Sequence, residues 1–196
     1  YQVDPNGGAT TDAFRTYCDM TADQGGWTLA FKLASGSGGN ANTLWNGAAV
    51  NDTVTTALNT TRAGGNYVGP MLTRYWNANG YAISRVRLVV TNAQGAEVRF
   101  ITFDGTGRTK TDWFTASRLV GSSWTDMTTT ASYNVFGIAG DSGYGRVLYV
   151  NQGYGGCNVD YGWLVADVTP DGCSWETGSA GKPAILYSAA STVQTW

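Results

Sequence analysis

The sequence predicts an α+β fold in which antiparallel sheet dominates and short helices alternate with long Gly-rich loops. Three observations lead there. Two consecutive stretches between Tyr81 and Phe103 alternate in polarity with a period of two, the mark of strands with one buried face. Several further segments are short and rich in β-branched or aromatic residues. Gly accounts for 27 of 196 residues, and the acids are 12 Asp against 2 Glu, a bias toward turns and caps over helix interiors.

Taken in order, Gly26–Leu33 reads as a strand. Ser35–Asn46, with Gly36, Gly38, Gly39 and Asn40, is too rich in Gly to be an element and is expected to be an ordered loop ahead of Leu44 and Trp45. Val50, Val54 and Leu58 recur at four-residue spacing, which predicts a short helix capped near Asn51 or Asp52; Pro70 starts another through Met71–Trp76. Ser84, Val86, Leu88 and Val90 alternate with Arg85, Arg87 and Val89. A turn over Thr91–Gly95 follows, then Glu97–Phe103 with the same period, so this region is a β-hairpin. Val135–Ile138, Arg146–Val150, Gly162–Val168 and Ala184–Ser188 are the remaining strands. No internal repeat or linker divides the chain, and residues 1–196 are expected to form one domain whose N-terminus is trimmed or continues from an upstream segment.

Charged residues are 13% of the chain, about half of the roughly 25% usual for soluble domains. With 42% hydrophobic residues, 8 Trp and 11 Tyr, there is ample apolar surface to drive folding. The absence of His removes imidazole bases, His-ligated metals and the Ser/His/Asp and Cys/His catalytic arrangements. A net charge of −2 without a Lys/Arg cluster argues against a nucleic-acid partner, and no apolar run reaches the roughly 18 residues of a membrane-spanning helix. The charge is unevenly spread: residues 1–140 hold 10 bases and 9 acids, whereas residues 141–196 hold Arg146 and Lys182 against 5 acids, so +1 is followed by −3.

Cys157 and Cys173 bracket a Gly- and Asp-rich loop and are expected to form a disulfide, the alternative being two buried free thiols. Cys18 is then either a lone core thiol or the partner of a cysteine outside this sequence. A disulfide implies an oxidising compartment, so the expected location is secreted or at the cell surface. Asn51-Asp52-Thr53 and Asn59-Thr60-Thr61 are glycan acceptors in a eukaryotic secretory path.

The opening residues run Tyr1-Gln2-Val3-Asp4-Pro5-Asn6-Gly7-Gly8, then Phe14-Arg15-Thr16-Tyr17-Cys18-Asp19-Met20 and Asp23-Gln24-Gly25-Gly26-Trp27-Thr28-Leu29. They resemble the start of fibrinogen-like domains, with an aromatic-x-Val/Ile-Asp-Pro turn, a Tyr-Cys-Asp-Met strand and a Gly-Gly-Gly-Trp-Thr strand. Gln24 replaces the usual first Gly, and the upstream cysteine that normally pairs with the Tyr-Cys-Asp cysteine is missing. In this motif Tyr17 and Trp27 are expected to be apolar anchors for a sheet. The later segment Gly156-Cys157-Asn158-Val159-Asp160 is similar to the intelectin branch, where a Gly-Cys-Asn-x-acidic segment helps hold a calcium ion that binds vicinal sugar hydroxyls. Asp160 stands for the branch's Glu, and Tyr161 for its His ligand.

Read on its own residues, the last third concentrates Asp141, Asn151, Asn158, Asp160, Asp167, Asp171 and Glu176 among Gly and aromatics, a set of oxygen donors sufficient for calcium. The same residues also serve as loop caps and Asx-turns. The expected calcium ligands are Asn158 and Asp160 from the matched segment with Asp141 and Glu176, and Asp167 and Asp171 in reserve. Of the nearby aromatics, Trp163 is expected in the core, while Tyr154, Tyr161 and Trp175 are candidates for a platform against the C–H face of a sugar. Asp160 and Glu176 are also a pair of acids of the kind that cleaves glycosides, a chemistry that needs them about 5 to 10 Å apart. Gly178–Pro183 lacks the spacing of a phosphate loop, and no nucleophile-base pair is visible. The sequence therefore points to a non-catalytic, calcium-dependent, lectin-like module binding cell-surface glycans. The alternative is a structural or adhesive subunit that associates with copies of itself.

Overall fold

A computed structural model describes residues 1–47, 51–169, 172–177 and 181–196. The described chain is mostly antiparallel sheet with a few short helices. The largest sheet runs in the order Val135–Gly137, Arg146–Gly153, Tyr161–Asp167, Ala184–Tyr187, and Gln194–Thr195 pairs with the beginning of Tyr161–Asp167. That strand is consequently flanked along its whole length, and Gly162–Asp167 is buried throughout. A second sheet holds Arg85–Thr91, Glu97–Asp104 and Leu119–Ser122. Three two-stranded ribbons join Gln2–Val3 to Phe14–Arg15, Cys18–Asp19 to Trp27–Thr28, and Phe31–Lys32 to Tyr67–Val68.

The hairpin forms where its alternation places it, with Val86 opposite Phe103 and Leu88 opposite Ile101. Gly26–Leu33 instead divides into two strands, because the chain changes partners midway. Leu29 donates its N–H to the Tyr17 carbonyl, while Ala30 already accepts from Gly69. The stretch expected to be only a loop contains a helix, Ala41–Asn46. Its glycines end at Gly39, and the Asn40 side chain accepts from the Asn42 and Thr43 N–H groups at 2.9 and 3.2 Å, satisfying two donors of the first turn. Trp45 on that helix enters the core. The next helix, Val54–Leu58, is capped by Thr53 and not by Asn51 or Asp52; Val50 lies outside the described residues. After Pro70 the helix lasts only through Thr73. Leu119–Ser122 is a strand whose four residues, one of them Gly, give no period to read.

The core joins the two sheets through Trp113, Phe114, Phe103 and Phe136, whose rings meet at 5.1 to 5.9 Å in edge or tilted contacts. The two fully buried indoles have acceptors: Trp124 donates to the Ser188 carbonyl at 3.0 Å and Trp163, in the core as expected, to Asp126 at 2.7 Å. The N-terminal motif behaves differently. Tyr17 is exposed and does not anchor a sheet, while half-buried Trp27 donates to the Ala22 carbonyl at 2.9 Å. Cys18 is a free, half-buried thiol, and the Cys157–Cys173 disulfide is formed. No described helix is long and apolar enough to cross a membrane.

Candidate functional site

The acidic last third of the chain is organised around Arg146. The turn that delivers it is fixed by backbone bonds between Asp141 and Arg146 at 2.7 and 3.1 Å. Glycine is required there. A Cβ on Gly140 would lie 2.0 Å from the Arg146 carbonyl oxygen, and one on Gly145 would lie 1.9 Å from Thr169 Oγ1. The disulfide then ties the loop leading to Asp160 to the short helix Ser174–Thr177 that carries Glu176.

Arg146 is only 2% exposed, and Asp160 and Glu176 are fully buried beside it. Nη1 lies 3.2 Å from Asp160 Oδ2; Nη2 and Nε reach Glu176 Oε1 at 2.7 and 2.8 Å. Each carboxylate has a second anchor, since Asp160 Oδ1 accepts the Gly155 N–H at 3.3 Å and Glu176 Oε2 accepts the Cys173 N–H at 3.0 Å. Burial works against the guanidinium charge, but the hydrogen bond and attraction from Glu176 outweigh it, so the Arg146 pKa is raised. A second ion pair, of buried Asp167 with partly exposed Lys182, adjoins the first. Lys182 Nζ donates to Asp167 and, at 2.7 Å, to the Glu176 carbonyl, while burial pushes the Asp167 pKa up against the pull of Lys182. Both bases of the last third are thus spent on three buried acids.

Three aromatic rings surround the guanidinium. Trp175 lies 4.7 Å from its central carbon, and Tyr144 and Tyr154 each 5.4 Å. The two tyrosine rings are 5.9 Å apart at 51°, and they are 46% and 43% exposed. The buried cation and its carboxylates therefore act as a rigid floor beneath two solvent-facing rings.

The expected calcium set is not assembled. Asp160 and Glu176 do converge, but on Arg146, whose charge already occupies the position between them. Asp141 contributes backbone bonds to the turn, Asn158 is exposed, and no group of three His, Cys, Asp or Glu residues suited to a metal occurs among the described residues. These donors do not fit a calcium ion. Asp167 is held by Lys182, and Asp171 lies outside the described residues. The same burial keeps Asp160 and Glu176 from facing a glycoside.

Of the platform candidates, Tyr154 is in the exposed pair. Trp175 is half-buried, 5.9 Å from Trp196. Tyr161, 37% exposed, lies against Gly153, where an added Cβ would meet its ring at 2.3 Å. Tyr149 is buried; its phenol is pushed up to about 12, chiefly by burial, and accepts from Asn151 Nδ2 at 2.9 Å. Sequence reasoning missed Tyr144 as a partner for Tyr154 and Arg146 as the hub. The signal for both was present in Gly143-Tyr144-Gly145-Arg146, a tight turn delivering one of only two bases in an acidic region.

No protein-family model matches the chain, and no curated protein or solved structure matches it.

Proposed function

We propose that the chain is an extracellular, non-catalytic carbohydrate-binding module of fibrinogen-like architecture, with the Tyr144–Tyr154 pair as its contact surface. The observation that carries this reading is the exposure of two adjacent rings on a floor of buried, ion-paired side chains. The C–H face of a sugar ring stacks on such rings, and the phenol hydroxyls meet the adjacent sugar hydroxyls. Arg146 acts as a positioning residue: it holds the rings at a fixed separation, so little entropy is lost when a sugar docks. No step runs through a metal. Each site binds weakly, and repetition along a larger assembly supplies avidity. The disulfide and the absence of a long apolar helix among the described residues are compatible with secretion.

The test is a glycan array read with calcium and with EDTA, for the native chain and for the Tyr144→Ala/Tyr154→Ala variant. Binding should survive EDTA and fall at least tenfold in the variant. A silent array from folded protein refutes the reading, and binding abolished by EDTA refutes its metal-free form.

A second reading, a structural or adhesive subunit, is favoured by one feature. A largely apolar groove of about 800 Å³ runs beside Arg85–Thr91, which pairs on only one side among the described residues. Polymers in light scattering, together with a silent array, would select it.

A further inference from the structure

A pocket of about 450 Å³ opens between the end of the Pro70–Thr73 helix and the Gly107–Lys110 loop. Its size falls in the range of ordinary ligand sites. Arg74, Arg108 and Lys110 line it together with Leu72 and Trp76, and no acid does. Three of the chain's 12 bases therefore meet at one cavity in a protein of net charge −2.

These cations are weakly compensated. Among the described residues Arg74 makes no ion pair or side-chain hydrogen bond, and Lys110 Nζ bonds only to the Asn46 carbonyl, at 3.5 Å. Arg108 has one distant acidic partner, Asp112 at 3.8 Å on the exposed surface, and its Nε donates weakly to the Thr106 carbonyl at 3.4 Å. The backbone beneath them is unusually well fixed. Trp45 and Trp113 both donate their indole N–H to the Lys110 carbonyl, at 2.6 and 3.1 Å, and Trp76 donates to the Arg108 carbonyl at 3.1 Å. Three indoles packed into or against the core thus hold the loop from which two of the cations project, which limits the ordering cost of binding.

We propose that this pocket binds a saccharide unit bearing an oxyanion, carboxylate or sulfate. The anion is held by Arg74, Arg108 and Lys110, and the ring's apolar face rests on Trp76. Arginine forks suit planar and tetrahedral oxyanions, and the half-buried indole supplies the surface that a bare anion would not use. The anionic part follows from the three cations; its attachment to a sugar rests on the carbohydrate reading above.

The experiment is backbone and indole amide shift mapping of the native chain with four probes: glucuronate, glucose 6-sulfate, glucose and inorganic sulfate. Saturable shifts at the Trp76 indole and the Arg108–Lys110 amides should appear with the first two probes. Glucose and inorganic sulfate should bind at least tenfold more weakly. Arg74→Gln/Lys110→Gln should weaken the response at least tenfold with an unchanged melting temperature, and 0.5 M salt should weaken it likewise. Inorganic sulfate binding as well as the acidic sugars would reduce the pocket to a simple anion site and overturn the proposal, as would no saturable shift with any probe. Tyr144→Ala/Tyr154→Ala should leave these shifts intact, so failure here and failure of the tyrosine surface are read separately.

Discussion

Replacing Arg146 with Met removes the cation from between two fully buried carboxylates while roughly keeping side-chain volume. Asp160 and Glu176 would each keep one backbone N–H but lose the one cation that pairs with their carboxylates among the described residues. Breaking a buried ion pair by deleting one partner costs about 3–5 kcal/mol, because the remaining charge is left without water or a counterion. For a chain of this length each kcal/mol moves the melting temperature by roughly 2–4 °C, so the expected fall is about 6–20 °C. Urea unfolding followed by tryptophan fluorescence measures the loss directly. Adding Asp160→Asn and Glu176→Gln to Arg146→Met should recover most of the deficit, since the isosteric amides carry no charge to strand. A loss below about 1 kcal/mol, the scale of an exposed pair, or a triple variant no more stable than the single, would refute the buried-hub account.

Three further expectations concern the scaffold. Removing the Cys157–Cys173 bond by Cys157→Ser/Cys173→Ser should cost about 3 kcal/mol, the chain-entropy value for a loop of roughly 15 residues, and equal urea midpoints for the two forms would contradict it. Asn40→Ala should destabilise by about 1 kcal/mol through loss of the helix cap, whereas Asp52→Ala should leave stability nearly unchanged because the following helix is capped by Thr53. In an ultraviolet titration, Tyr133 and Tyr149 should ionise only near pH 12, both held up chiefly by burial. The folded chain then keeps protons that the unfolded chain releases near pH 10, so stability is intact below that pH and declines as pH rises toward about 12. All tyrosines ionising together near 10 in folded protein would contradict this.

The hairpin and the central strands were legible because each buries one or both faces and so carries a regular polarity pattern: Val86, Leu88, Ile101 and Phe103 could sit in few other ways. Residues such as Asn40 were not, because capping is a local hydrogen-bond event that the preceding glycines masked. The two-residue ribbons near the N-terminus are too short for any period. At the candidate site, the sequence foretold the disulfide and singled out Asp160 and Glu176, but as ligands of a calcium ion and not as partners of an arginine. It did not reveal what lies between them, because Arg146 is 14 residues from Asp160 and 30 from Glu176, and three separate segments must fold before the charges meet. An excess of acid reads equally as a site for an external cation or as the counter-charge for an internal one. Burial decided for the internal one.

The central claim, that Tyr144 and Tyr154 are the sugar-contacting surface, is met most directly by aromatic carbon–proton NMR of the native chain titrated with the strongest array ligand. The ring resonances of Tyr144 and Tyr154 should move first and saturate together, with the Arg146 Nε signal following and the buried Trp124 and Trp163 unmoved. Saturable binding that leaves both tyrosine rings unchanged would contradict it.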